Sequence, residues 1–276
     1  MGPRTRSSNK VVPHGRFFFN GGPWSQGHSV DTFHLSTFKA DDGSVRMHIG
    51  MSAVPIDDEV RHVCGANLRQ CATAYMYLHR RAFPVAQFPV ADGVEEEDEA
   101  VVWRNYGHPM IWTLDGGEDV NRGMPLFDEV VKMDVDTLDG VEVRCDTIEG
   151  GLHGGELPDD LYDPETGMAV RHCYLRGHDM VANHYVRFTK AASGKENVID
   201  VAWCGLYASA YTGSLNLSES WSVVMRDVPV PTMAASNTAN RNNEPKCQGL
   251  DADPDADYSD LLATIRAEEA VRDRVK

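Results

Sequence analysis

Four side chains between His172 and His184 have the chemistry of metal ligands: His172, Cys173, His178 and His184. His172 and His178 stand six apart, with Arg176-Gly177 between them, so a loop could converge them. The spacing matches no zinc signature, and the plainer reading is two strands carrying polar aromatics, so no metal is assigned. Neighbouring carboxylates at Asp57-Asp58, Glu118-Asp119 and Asp159-Asp160 have the chemistry of a glycosidase acid and base, or of calcium ligands. With 42 acidic residues such neighbours arise by chance, and a solvated surface accounts for them. Cys204, in Trp203-Cys204-Gly205, lies in the most apolar stretch of the chain. A thiol there is far more often core than nucleophile, and Trp203 and Trp221 read as core on the same ground. Gly194-Lys195 lacks the rest of a P-loop, and GxGxxG after a strand, GxSxG and HExxH are absent, which sets aside nucleotide binding and the common hydrolase sites.

Charge narrows the partners. The formal net charge of -16 sets the body as a whole against nucleic acid and favours solubility by self-repulsion. No acidic residue precedes Asp31, whereas Arg4, Arg6, Lys10 and Arg16 all do. These four are the candidate nucleic-acid contacts of a basic arm on an acidic body; an ordinary unstructured terminus has the same composition. A hydrophobic share of 42% suffices for a core, and no apolar run approaches a membrane span. The first ten residues lack the apolar segment of a secretory signal, so a reducing, intracellular setting is expected. The six cysteines, with no CxxC among them, are then expected as thiols.

The elements that must position these groups read as strands. From residue 215 onward, Leu215, Leu217, Trp221, Val223 and Met225 share one face, while Asn216, Ser218, Ser220, Ser222 and Arg226 share the other, as in a strand with one wet face. Val198 to Ala208 is nearly continuously apolar, as a strand covered on both sides would be, and Tyr211-Thr212-Gly213-Ser214 joins the two into a hairpin. Pro229 and Pro231 end the pairing, and no strand pattern returns after them. Glu219 is the misfit on the apolar face and calls for a partner or a bulge. Val45, Met47, Ile49, Met51 and Ala53 alternate with polar or small residues after the turn Asp41-Asp42-Gly43, with Val30 to Phe38 as the hairpin partner. Val130 to Val135 and Val141 to Cys145 flank Asp139-Gly140, the strongest short hairpin signal in the chain. Val101 to Trp112, Val170 to Leu175 and Asn183 to Lys190 are further strands, 57–80 reads as a short helix and then a strand, and 83–99 and 150–167 read as loops. About nine or ten short strands with almost no helix predict an all-β fold.

Three regions follow: an N-terminal arm over 1–28, an antiparallel β-sandwich over 29–231, and a C-terminal tail over 232–276. In the tail Ser259 can cap a helix over about 259–274. Leu261, Leu262, Ile265 and Val271 lie near one face of it, opposite Arg266, Glu268, Glu269 and Arg272. Such a helix folds back on its domain or binds a neighbour.

In layout the chain resembles the single jelly-roll coat proteins of small icosahedral RNA viruses, the nodavirus and tombusvirus-like groups. The features that carry the resemblance are the arm with Arg4, Arg6 and Lys10, eight or more antiparallel strands with long loops, and the last strand, SWSVVMRDVPVP, leaving through prolines into a polar tail. The resemblance implies a jelly roll and a structural capsid protein, not an enzyme, that self-assembles into an icosahedral shell around a viral genome. Its partners would be further copies of itself and viral nucleic acid held through Arg4, Arg6, Lys10 and Arg16. No cofactor is implied, with calcium at subunit contacts the one ion allowed. The location implied is the virion, after synthesis in the host cytoplasm. The alternative is a β-jelly-roll protein that binds or cleaves carbohydrate, using carboxylates and tryptophans of the 150–185 loops.

Overall fold

Alternation at period two sorts the side chains of each strand to two sides, and in the computed structural model of the protein one of those sides becomes a shared inner face. The structure describes residues 11–19, 27–53, 110–112, 123–147, 172–174, 179–209, 219–234, 247 and 257–275. The strands are β1 (His14–Phe19), β2 (His28–Lys39), β3 (Val45–Ala53), β4 (Met110–Trp112), β5 (Met124–Phe127), β6 (Glu142–Cys145), β7 (His172–Tyr174), β8 (Asp179–Lys190), β9 (Val198–Ser209), β10 (Glu219–Pro229) and β11 (Met233–Ala234). Among the described residues two helices accompany them, α1 (Val135–Leu138) and α2 (Ser259–Val275).

Eight strands, β1, β2, β3, β4, β7, β8, β9 and β10, pair antiparallel with their neighbours in chain order, and β1 bonds both β2 and β10, so the sheet nearly closes on itself. The sector between β3 and β8 is filled in two tiers. At one end β4 pairs with β3 and β7, and β7 meets β8 at Asp179; at the other, β5 pairs with β3 at 45–47 and β6 with β8 at 184–187. Strands β5 and β6 touch, but no ladder joins them among the described residues. The fold is all-β, as the strand patterns predict. The described pairings follow a meander, whereas the expected jelly-roll sandwich needs Greek-key crossings between two packed sheets.

The inner face gathers one core in which Phe17, Phe33, Met47, Ile49, Ile111, Phe188, Trp203 and Trp221 are almost fully buried. The Val45-to-Ala53 alternation faces it throughout, and so do Trp221, Val223 and Met225. At Gly43 the backbone takes φ +89° between β2 and β3, the left-handed region that glycine enters without strain.

The second side of β10 is not wet. Helix α2 folds back and lays Leu261 and Ile265 on Tyr185, Ala202, Cys204 and Val224, so Ser222, Val224 and Arg226 are buried. The residues of α2 turned to the wall are Leu261, Ile265, Glu268 and Arg272, spaced as one helical stripe. Val271 falls off that stripe and is 55% exposed, against the expectation that it joins the apolar face. The capping side chain stands two residues before the expected Ser259, since Asp257 Oδ1 accepts the Ser259 N–H at 2.8 Å.

Three further boundaries differ. Residues 14–19, read as arm, form β1, whose hydrogen bonds to β2 and β10 complete the ring. The Asp139-Gly140 hairpin is not formed: Asp134 Oδ1 accepts the Thr137 N–H at 2.9 Å and starts α1, and β6 pairs with β8 instead. A capping aspartate two residues before the next Asp outcompetes a short strand whose partner would be merely local. The chain regains a strand after Pro231, where Met233–Ala234 pairs in parallel with β2. The segments 57–80, 83–99 and 150–167 lie outside the described residues.

Candidate binding site on the inner face

A bulge in β8 builds the site. Val181 and Val186 both face inward although they are odd and even in the chain, which an uninterrupted strand forbids. The register shifts between Ala182 and Tyr185, where Asn183 adopts φ +52° and gives its N–H to the Asp146 carbonyl at 2.8 Å. The extra residue turns His184 to the inner face, where it is 2% exposed.

His184 stands between two indoles. Its ring centroid is 5.7 Å from that of Trp221 and 6.1 Å from that of Trp203, and the two tryptophans meet edge to face at 4.9 Å. Gly205 makes room for this arrangement, since a Cβ there would come within 2.8 Å of Trp221 Cζ2 and 3.0 Å of the Ala182 carbonyl. Trp221 donates its indole N–H to the Leu206 carbonyl at 3.3 Å. Neither nitrogen of His184 nor the indole N–H of Trp203 has a hydrogen-bond partner. Each buried polar group left so costs about 1–3 kcal/mol.

Burial pulls the His184 pKa down to about 3, and the positive charge of Arg272, reaching the outer side of the wall, pushes it the same way. The Val181 carbonyl lies close enough to favour the proton slightly, but its geometry falls short of a hydrogen bond. Asp146 Oδ2 is 3.6 Å from His184 Nε2, an ion pair only if the imidazole is protonated, and the lowered pKa leaves it neutral. The site is therefore a neutral imidazole, with the Asp146 carboxylate 3.6 Å away, and an indole N–H donor in otherwise apolar surroundings.

On the outer wall, Arg226 anchors the start of α2. Its Nη1 donates to Asp200 Oδ2 at 2.6 Å, and its Nη2 donates to the Asp257 carbonyl at 2.8 Å and to Asp260. Asp200 also accepts the N–H groups of Ala192 and Asp227, both at 3.0 Å. Further along, Arg144 Nη2 donates to Glu268 Oε2 at 2.8 Å, and Arg272 Nη2 donates to Cys204 Sγ at 3.0 Å. Burial raises the Cys204 thiol to about 12, so it is an inert wall residue, as its apolar setting predicts. Cys145, Cys204 and Cys247 are free thiols.

Of the sequence candidates, Arg4, Arg6 and Lys10 lie outside the described residues, while Arg16 sits in β1, half-buried and in register with Ser29 and Val224. The three carboxylate pairs and His178 are also outside them. His172 and Cys173 belong to β7, and His184 lies on the inner face beside Trp203 and Trp221. Among the described residues no group of three metal ligands gathers. Trp203 and Trp221 are core, as expected; that Trp203 and His184 face each other unpartnered has no signal in strand periodicity. No helix among the described residues is long and apolar enough to cross a membrane. Comparison with protein-family models, with curated proteins and with solved structures finds no match.

Proposed function

We propose that the protein binds a small molecule on the inner face of its nearly closed sheet. One observation carries this reading: a fully buried His184 and the indole N–H of Trp203 share an apolar interior and lack hydrogen-bond partners. Such a pair, costly to leave unmade, is where a small polar group completes the hydrogen bonding when a ligand enters. Rings of eight antiparallel strands have an interior of the size that either fills with side chains or holds one small ligand. The test is a titration of the purified full chain with toluene and with phenol, followed by tryptophan emission. A saturable change that Trp203→Phe or His184→Phe alters supports interior binding. A linear response to both probes, the same in the variants, overturns it.

The self-assembling coat protein is the second reading, favoured by the charge split between the acid-free segment before Asp31 and the body. In it the jelly-roll layout is the finer fold, the partners are further copies and a viral genome held through Arg4, Arg6, Lys10 and Arg16, calcium is the one ion allowed at subunit contacts, and the location is the virion. Closed particles by negative-stain microscopy support it, because repeated contacts with rotational symmetry generate shells. A monodisperse monomer across salt and pH removes it, and glycan-array binding by that monomer favours the carbohydrate-binding alternative.

A further inference from the structure

The stripe that α2 turns to the outer wall changes character halfway along. It opens with Leu261 and Ile265, which are buried apolar side chains. From 266 to 272 the buried residue is Glu268, while Ala267, Ala270 and Val271 face solvent, so this stretch lays no buried apolar side chain on the sheet. We infer that 266–275 is a flap, which detaches from the wall and uncovers Cys204 while the first turns of α2 stay docked. The two halves are held by different forces. Leu261 and Ile265 pack on Tyr185, Ala202, Cys204 and Val224, and Arg226, bound to Asp200, reaches the Asp257 carbonyl and Asp260. Just before the helix, the Tyr258 hydroxyl meets His14 Nδ1 at 3.0 Å. The later stretch has polar ties instead.

Those ties are weak ones. Glu268, 8% exposed, accepts from Arg144 Nη2 at 2.8 Å, but Arg144 also donates to Glu142 at 3.1 Å and so keeps a partner when the flap leaves. Arg272 donates from Nη2 to the Cys204 sulfur, a weak acceptor, at 3.0 Å, while its Nε and Nη1 are buried without a hydrogen-bond partner. Detachment hydrates the carboxylate and the whole guanidinium, whereas undocking Leu261 and Ile265 would give up apolar burial. Opening therefore stops at Ile265, as a local unit of low stability next to a docked one. Cys204 is 0% exposed beneath this end of the helix, and the charges that act on it are those of Arg272, Glu269 and Glu268, all in the flap. Opened, the thiol meets water and gains ordinary reactivity. The Arg272 charge that acts on His184 through the wall is withdrawn in the same step, which couples the flap to the inner face.

Hydrogen exchange and iodoacetamide labelling of the full chain, both read peptide by peptide by mass spectrometry, test the flap. Amides of 266–275 are expected to exchange about 100-fold or more faster than those of 262–265, and Cys204 to be alkylated faster than the chain unfolds globally. Arg272→Leu continues the apolar stripe and should slow Cys204 labelling about ten-fold, whereas Arg144→Met strands Glu268 and should speed it by a similar factor. Equal protection along the whole helix, or Cys204 labelling no faster than global unfolding, overturns the flap, and both are read on the parent whether or not the variants fold. Faster labelling in Arg272→Leu with an unchanged circular dichroism spectrum overturns it too, because Arg272 would then be an anchor.

Discussion

Replacing Arg226 by methionine should destabilise the protein by about 3 kcal/mol, because it strands a carboxylate rather than because it removes an ion pair. Asp200 is 1% exposed and accepts three hydrogen bonds, of which the Arg226 guanidinium supplies the only charged one; the other two come from the Ala192 and Asp227 backbone. Truncating one partner of a buried pair costs about 3–5 kcal/mol, and the two remaining backbone donors place this case at the low end. Asp260, the other partner of Arg226, is 62% exposed, so Asp260→Asn should cost about 1 kcal/mol or less. Urea unfolding followed by far-ultraviolet circular dichroism reads both, and an unchanged slope would show that the midpoint reports stability alone. Adding Asp200→Asn to Arg226→Met should recover part of the loss, since the stranded charge is then gone. A loss below about 1 kcal/mol in Arg226→Met, or no recovery in the double variant, would refute the claim that burial of Asp200 sets the magnitude. The Arg226 guanidinium holds the Asp260 carboxyl below its ordinary range, so this contact stabilises above about pH 4 and is lost as pH falls through the folded-state value.

His184 sets a different pH dependence. Burial holds its folded-state pKa at about 3, so the unfolded chain takes up more protons between pH 6.5 and 3; its contribution is full above pH 6.5 and falls by about 2 kcal/mol at pH 5. Urea midpoints at pH 7 and 5 should therefore differ less in His184→Phe than in the parent. On α2, Leu261→Ala and Ile265→Ala should each cost about 2–5 kcal/mol or release the helix to early protease cleavage, whereas Val271→Ala should stay within about 0.5 kcal/mol. For the coat-protein reading, alanine at Arg4, Arg6 and Lys10 should lower the 260 to 280 nm absorbance ratio of purified protein while leaving the β spectrum intact, and a parent that carries no nucleic acid would sink that reading. Arg16 is best changed separately, because it lies in β1 and its loss touches the ring closure.

What the chain determined locally is the side of each strand that is apolar and the points at which strands stop. The Val45-to-Ala53 and Trp221-to-Met225 alternations, the Gly43 turn, the Pro229 exit and the existence of a terminal helix were all legible, because each depends on neighbours within a few residues. Periodicity says which residues share a side, but not what covers that side. The supposedly wet face of β10 is dry because α2 returns to it, and that return rests on contacts between residues some 30 apart, such as Arg226 with Asp260. The same limit explains β1, whose Phe17 needed β10 and β2 beside it before it counted as core, and the Asp139-Gly140 signal, which a cap at Asp134 redirected into helix. His184 stood out in the sequence as one of four ligand-type side chains, yet its role depended on a bulge at Asn183 and on two indoles contributed by other strands. Only the closing of the sheet could put a neutral imidazole and an indole N–H into the same apolar space and remove water from both, since desolvation is a property of the assembled interior and of no single strand.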